Sequence, residues 1–269
     1  MRRSHRPTPR WANLSQVAPY PCIIGSSECN SGRLERFQLD RRFQLARDPG
    51  YEDVLTIGRT RPGAIFLDIG CCVGTDIRKV VADGFPAERA IGSGLYPEFG
   101  ELGHKLFRTT TESFAGHFVP RDALDPAMLS VVKPFDRAPD SPEPELSSLT
   151  SLNPLQGRVS AIHASDFFHL FSENKQLHLA RALAGLLSPQ TGSLICGGNW
   201  GLPEKGMMKE GIFDSRIEMF CHSPQTWTEL WDGVVSSFPS GQVKVDAHIS
   251  EIEMEGFNFW YLRWCVRRL

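Results

Sequence analysis

Ala64-Ile65-Phe66-Leu67-Asp68-Ile69-Gly70-Cys71-Cys72-Val73-Gly74-Thr75-Asp76 is an apolar run that ends in an acid and two glycines four apart. An Ile/Phe/Leu run of this length fits a buried parallel strand. Gly70 and Gly74 let the backbone turn tightly beside a ligand, and Ile77-Arg78-Lys79-Val80-Val81-Ala82 continues at helical spacing. Strand, loop and helix in that order place a ligand at the strand end, as open α/β sheets do. A dinucleotide fingerprint carries three glycines so that the backbone can approach a pyrophosphate, whereas the middle position here is Cys72. Asp68 at the strand end suits a cationic methionine moiety better than a phosphate. The spacing therefore favours S-adenosylmethionine, with a purely structural strand-to-helix turn as the alternative.

Outward from this stretch, strands and helices alternate. Leu34, Phe37, Leu39, Phe43, Leu45 and Ala46 space out one helical face, and Asp48-Pro49-Gly50 ends it before a second helix at Tyr51-Glu52-Asp53-Val54-Leu55. Arg89 to Gly94 reads as a weak second strand, and Pro97-Glu98-Phe99 opens a helix with Phe99, Leu102, Leu106 and Phe107 on its apolar face. His117-Phe118-Val119, Val159 to Ala164 and Ser193 to Gly198 are the third, fourth and fifth strands, with a helix over Leu177 to Leu187. Residues 134–156 are proline-rich and read as a surface insertion. After a Trp-rich helix at Trp227 to Val235, Val243 to Ile249 and Phe257 to Val266 form a hairpin across an acidic loop, giving one antiparallel edge. The expected fold is α/β: a Rossmann-like, class I methyltransferase-type sheet of seven mostly parallel strands with helices on both faces.

The 269 residues suffice for one domain burying about three quarters of its unfolded surface, expected over residues 33–269 behind a flexible segment, 1–32. A net charge of −2 and a pI near 6.5 give no footprint for nucleic acid or an anionic membrane. No apolar run approaches the roughly 18 residues of a membrane span, and the first residues lack a signal peptide's apolar core, so a cytoplasmic protein is expected. Seven scattered cysteines without C-x-x-C pairs suggest neither a disulfide framework nor a metal site.

Phe66 to Lys79, Tyr96-Pro97-Glu98-Phe99 and Ala164-Ser165-Asp166-Phe167-Phe168-His169-Leu170-Phe171 together resemble the fungal secondary-metabolite methyltransferases of meroterpenoid pathways, over roughly residues 33 to 265. The D-I-G-C-C and F-F-H-L-F strings are more specific than glycine spacing alone. The resemblance implies S-adenosylmethionine, a small hydrophobic substrate acid methylated on a carboxylate, and often a homodimer. Carried over by position, Asp68, Gly70, Cys72 and Gly74 wrap the methionine end, Gly94 and Leu95 stand at the ribose, and Asp122 and Ala123 lie beside the adenine. Ala164, Ser165 and Phe167 take the other flank. Asp122 can accept the adenine amine or act as a helix N-cap. One departure is Gly94, where family members place a ribose-binding acid; Asn199 and Cys221 stand where they tend to carry arginine.

A carboxylate nucleophile is ionised at neutral pH and needs no base, whereas a phenol wants one. His169 and His222 are the candidate catalytic histidines, for orientation or proton transfer; His163, inside a strand, reads as core. Phe168 and Trp200 are candidate substrate-lining aromatics, against a core role. The leading expectation is a methyl-ester-forming O-methyltransferase. Because Gly94 removes a ribose ligand, the alternative is a methyltransferase-fold protein that performs a cyclisation or rearrangement, with His169 or Asp166 moving the proton.

Overall fold

The computed structural model describes residues 45–208, 219–235, 243–254 and 257–269. A helix α1 (Tyr51–Thr60) precedes the alternating body: β1 (Phe66–Ile69), α2 (Thr75–Ala82), β2 (Ala90–Gly94), α3 (Glu98–Phe107), β3 (His117–Pro120), β4 (Ala161–His163), α4 (Glu173–Leu186) and β5 (Leu194–Trp200). A two-stranded ribbon of β6 (Gly206–Met208) and β7 (Met219–Cys221) follows, then α5 (Pro224–Val235), β8 (Val243–Met254) and β9 (Phe257–Arg268). The leading helix expected from Leu34 and the segment 1–32 lie outside the described residues, apart from a short 3-10 turn at Leu45–Arg47.

The main sheet has the order β3-β2-β1-β4-β5-β9-β8. Strands β1 to β5 pair in parallel, and β9 runs antiparallel between β5 and β8. This is the class I methyltransferase strand order, with the chain reversing direction across the sheet between β1 and β4. The β8–β9 hairpin forms one edge of the sheet, as expected, with β8 outermost and β9 inserted antiparallel against β5. The acidic stretch after Ile249 is strand as far as Met254, because its pairing continues to Met254 opposite Phe257. β2 is no weak element either: glycine at 92 is accommodated because β2 is hydrogen-bonded on both sides, by β1 and β3.

Apolar side chains sort to the two faces. Ile65, Leu67, Ile91, Ile162 and Ile195 pack with Leu179, Leu183, Trp227, Trp231 and Trp264 on one side. Phe66, Ala90, Ala161 and Leu194 pack with Val54, Ile77, Val80 and Phe85 on the other. This alternation is what a parallel strand buried on both faces produces. The proline-rich segment 134–156 is only half a surface insertion: Leu146, Leu152 and Leu155, in and beside two 3-10 turns, are buried in the first of these cores. Among the described residues no helix is long and apolar enough to cross a membrane.

Candidate active site

The C-terminal ends of β1 to β5 deliver five connections to one edge of the sheet, and the strand order reverses between β1 and β4, where open α/β sheets place ligands. After β1 the chain turns through Gly70 (φ 77°), Cys72 (φ 48°) and Gly74 (φ 74°), all left-handed. A Cβ at Gly70 would stand 2.9 Å from the Phe167 ring, and one at Gly74 2.6 Å from the Arg78 guanidinium, so both positions need glycine for space as well as for φ. Gly74 is the N-cap of α2. Gly70 and Cys71 N–H both donate to Ser93 O, at 2.8 and 3.0 Å, tying the loop to β2.

Arg78 is the residue of this loop that sequence reasoning passed over. It is 1% exposed on α2, and its Nη1 donates to Val73 O and Gly74 O, each at 3.1 Å, while Nη2 donates to Thr109 Oγ1 at 3.4 Å. The rings of Phe114, Phe107 and Phe118 surround the guanidinium at 4.6, 4.7 and 5.4 Å. Burial lowers its pKa to about 10. A lone arginine between Ile77 and Val80 gives no local sign of this role, because the aromatic cage is assembled from the α3 end and β3.

Asp68 is buried, and its Oδ1 accepts from His163 Nδ1 at 2.8 Å. Gly94, at the end of β2, has room: an added Cβ would meet only Cys71 Sγ, at 3.9 Å, and its φ is not positive. Leu95 beside it is half exposed. Arg121 N–H donates to Gly94 O at 2.8 Å, joining the β2 and β3 ends. Asp122 is exposed there, with Oδ1 accepting from Leu124 N–H at 2.9 Å, and Ala123 is buried against the core. The Asp122 bond is a turn-capping contact, and no helix begins there for it to N-cap.

Beyond β4, Ala164 is fully buried and Ser165 is occupied: its hydroxyl donates to Asp48 Oδ2 at 3.0 Å and accepts from Gly198 N–H at 3.0 Å. Phe167 lies over Gly70. Asp166 (φ 50°) accepts from the Tyr261 hydroxyl at 3.3 Å. Cys72, unlike Cys71, Cys196, Cys221 and Cys265, is disulfide-bonded, against the expectation from the scattered cysteines. Among the described residues no group of three or more His, Cys, Asp or Glu is arranged to hold a metal ion.

The two candidate substrate-lining aromatics are both packed in cores. Phe168 is fully buried, edge-on to Trp227 at 5.0 Å and Trp264 at 5.7 Å, inside the main core. Trp200 is 3% exposed and stacks on Phe259 at 4.4 Å, in a small core with Met219, Cys221 and Tyr261. Aromatic residues at the ends of β4 and β5 face inward because the hairpin β8–β9 closes over them. His169 sits in a 3-10 turn, Phe168–Leu170, and is 6% exposed. His222 is 4% exposed with Nδ1 3.0 Å from Thr226 Oγ1, and its Nε2 has no hydrogen-bond partner among the described residues. Burial lowers its pKa to about 4, so it is neutral at pH 7 and a weak base. Asn199 and Cys221 are both buried; the Asn199 amide fits as a donor to Gly198 O (3.1 Å) and an acceptor from Trp264 Nε1 (2.9 Å).

No family model matches the chain. Curated relatives do. O-methyltransferase phiE of a fungal species is 30% identical over 195 residues, 72% of this chain and 56% of its own length. Methyltransferase adrK of Penicillium roqueforti is 28% identical over 220 residues, 81% of this chain and 65% of its own length. Asnovolin E/Chermesin D methyltransferase nvfJ of Aspergillus novofumigatus is 28% identical over 216 residues, 80% of this chain and 64% of its own length. The chain thus spans less than two thirds of the length of each. Among solved structures, a Burkholderia thailandensis 1,6-didemethyltoxoflavin-N1-methyltransferase superposes with a TM-score of 0.49 at 12% identity, over 94% of both chains.

Proposed function

We infer that this chain, whose curated homologues are fungal secondary-metabolite methyltransferases, is an S-adenosylmethionine-dependent O-methyltransferase that forms a methyl ester on a carboxylate of a hydrophobic polyketide-terpenoid acid. The observation that carries the reading is the buried Asp68 at the root of a left-handed glycine loop, at the switch point between β1 and β4. These residues fit the cofactor: glycine at 70 and 74 leaves backbone where side chains would collide, and a carboxylate suits an ammonium group.

When bound, the cofactor supplies a methyl group on a sulfonium. The chain's part is to align and to exclude water. Asp68 would hold the ammonium end, Gly70, Cys72 and Gly74 would pass the methionine along the loop, and Gly94, Leu95, Asp122 and Ala123 would border the nucleoside. Ala164 and Phe167 would wall the opposite flank; Ser165 would act through Asp48. The depressed pKa of His222 supports a nucleophile that arrives already ionised, since a base at about 4 does not activate a phenol at neutral pH. His222 would then orient substrate rather than take its proton, and His169 is the second candidate for orienting it.

The open position at Gly94 favours a second reading, in which the scaffold binds a terpenoid or polyketide intermediate and cyclises or rearranges it. Product mass separates the two: incubation with a candidate acid and cofactor gains one methyl group under the first reading, and a product of unchanged mass overturns it.

A further inference from the structure

Beneath the glycine loop lies a cluster of ionisable groups that alignment of the donor alone does not call for. His163 on β4 stands opposite Asp68 on β1 in the sheet register. Its Nδ1 donates to Asp68 Oδ1 at 2.8 Å, and its Nε2 lies 3.3 Å from Oδ2 of Asp48, in the turn before α1. The side chains of His163, Asp48 and Asp68 are 2%, 1% and 5% exposed. Asp76 closes the cluster from α2, with Oδ1 accepting from Leu45 N–H at 3.1 Å. Asp48 Oδ1 and His163 Nε2 are both buried without a hydrogen-bond partner among the described residues, so the 3.3 Å approach of His163 to Asp48 is an ion-pair contact rather than a hydrogen bond.

Three carboxylates packed this closely cannot all be ionised without a countercharge. Burial alone would lower the His163 pKa, but the hydrogen bond to Asp68, the close approach of Asp48 and the charges of Asp68 and Asp76 override it and hold the pKa well above the ordinary value. Burial likewise lifts Asp76 to about 7, against the His163 charge and with the repulsion of Asp68 and Asp48. The other groups facing the cluster are the Cys71 thiol on the loop, with Arg78 beyond it, the Cys196 thiol opposite His163 on β5, the Ser165 hydroxyl, and the Tyr51 phenol on α1. Burial pushes both thiols and the phenol up, so they are neutral.

We propose that His163 is a positioning residue of the cofactor site: held as an imidazolium between Asp48 and Asp68, it fixes the Asp68 carboxylate at the root of the glycine loop and supplies the charge that lets this buried acid meet a cationic donor. The inference rests on the reading that Asp68 takes the ammonium of S-adenosylmethionine. His163→Asn keeps a hydrogen-bond donor toward Asp68 and removes the charge. The cluster then holds an extra proton at neutral pH, and donor binding requires its release.

The test is calorimetric titration of the unmodified protein and of His163→Asn with S-adenosylmethionine and S-adenosylhomocysteine at pH 6.5 and 8.5. One released proton makes affinity rise by up to about tenfold per pH unit. The variant's affinity for both ligands should therefore climb at least about tenfold more over this range than the unmodified protein's, recovering toward it at pH 8.5. Equal pH ratios in two folded proteins overturn the inference while leaving the cofactor reading standing. No binding by the unmodified protein at either pH overturns both. Should His163→Asn not fold, imidazole 15N shifts of the unmodified protein decide: one of its eight histidines must stay doubly protonated at pH 8.5, and eight neutral rings overturn the inference.

Discussion

Arg78→Met tests whether the glycine loop is held from behind by the guanidinium. The substitution keeps the side chain's length and apolar stem but removes two bonds to the carbonyls of Val73 and Gly74. Charge-assisted bonds of this kind are worth about 1.5–3 kcal/mol each, and contact with the aromatic cage adds roughly 0.5–2 kcal/mol. Against this, burial that lowers the pKa from 12.5 to about 10 corresponds to a cost of about 3 kcal/mol for burying the cation, which methionine does not incur. The balance is a loss of about 0.5–5 kcal/mol, whose midpoint near 3 kcal/mol corresponds to roughly 5–10 °C in melting temperature for a domain of this size. Because the lost bonds end on the loop that would carry the methionine moiety, cofactor affinity should fall by about tenfold or more, the equivalent of at least 1.4 kcal/mol. Thermal melting and a cofactor titration on the same preparation check both. A variant that melts within about 2 °C of the unmodified protein and binds as tightly would refute the reasoning.

Four further outcomes follow from the geometry. Gly94→Asp, placed where a side chain meets only Cys71 Sγ at 3.9 Å, should tighten S-adenosylmethionine binding by about tenfold or more through hydrogen bonds to the ribose, read by calorimetry; unchanged or weaker binding contradicts the ribose assignment. Phe168→Ala should cost about 3–5 kcal/mol in urea denaturation, since the ring is core; a change in KM without loss of stability would return it to the substrate pocket. His222 has a folded pKa of about 4, below its ordinary 6.5, so the unfolded chain takes the extra proton and stability falls as pH drops from 6.5 towards 4. His222→Gln should gain about 1–2 kcal/mol on the unmodified protein at pH 5 relative to pH 7.5, in paired denaturation curves. Asp76 has the opposite sign: its folded pKa of about 7 lies above the ordinary 3.8, so stability is lost as pH rises towards 7. Asp76→Asn should therefore gain about 2–3 kcal/mol on the unmodified protein between pH 5 and pH 8, and a parallel pair of pH profiles would contradict the buried cluster.

What the sequence made legible follows from which interactions are local. The β1 run, Gly70 and Gly74 are chosen by strand burial and left-handed backbone, and both are written in consecutive residues. The alternation up to β5 was readable for the same reason. Arg78, Asp48 and Asp76 were not, because their partners come from β3, β4 and the turn before α1, far along the chain. His163 could be read as core, and it is buried; its two carboxylate neighbours depend on the β1–β4 register. For Phe168 and Trp200 the sequence offers a pocket role against a commoner core role, and the hairpin that covers them is decided by the order of β5, β9 and β8, a tertiary choice. Half of 134–156 hid its leucines among prolines.

The most direct test of the account is calorimetric titration of the unmodified protein with S-adenosylmethionine, since it requires no knowledge of the substrate. Saturable binding in the micromolar range, weakened in Asp68→Asn, is the predicted result. No heat of binding from a folded protein would contradict the assignment of the glycine loop to a methyl donor.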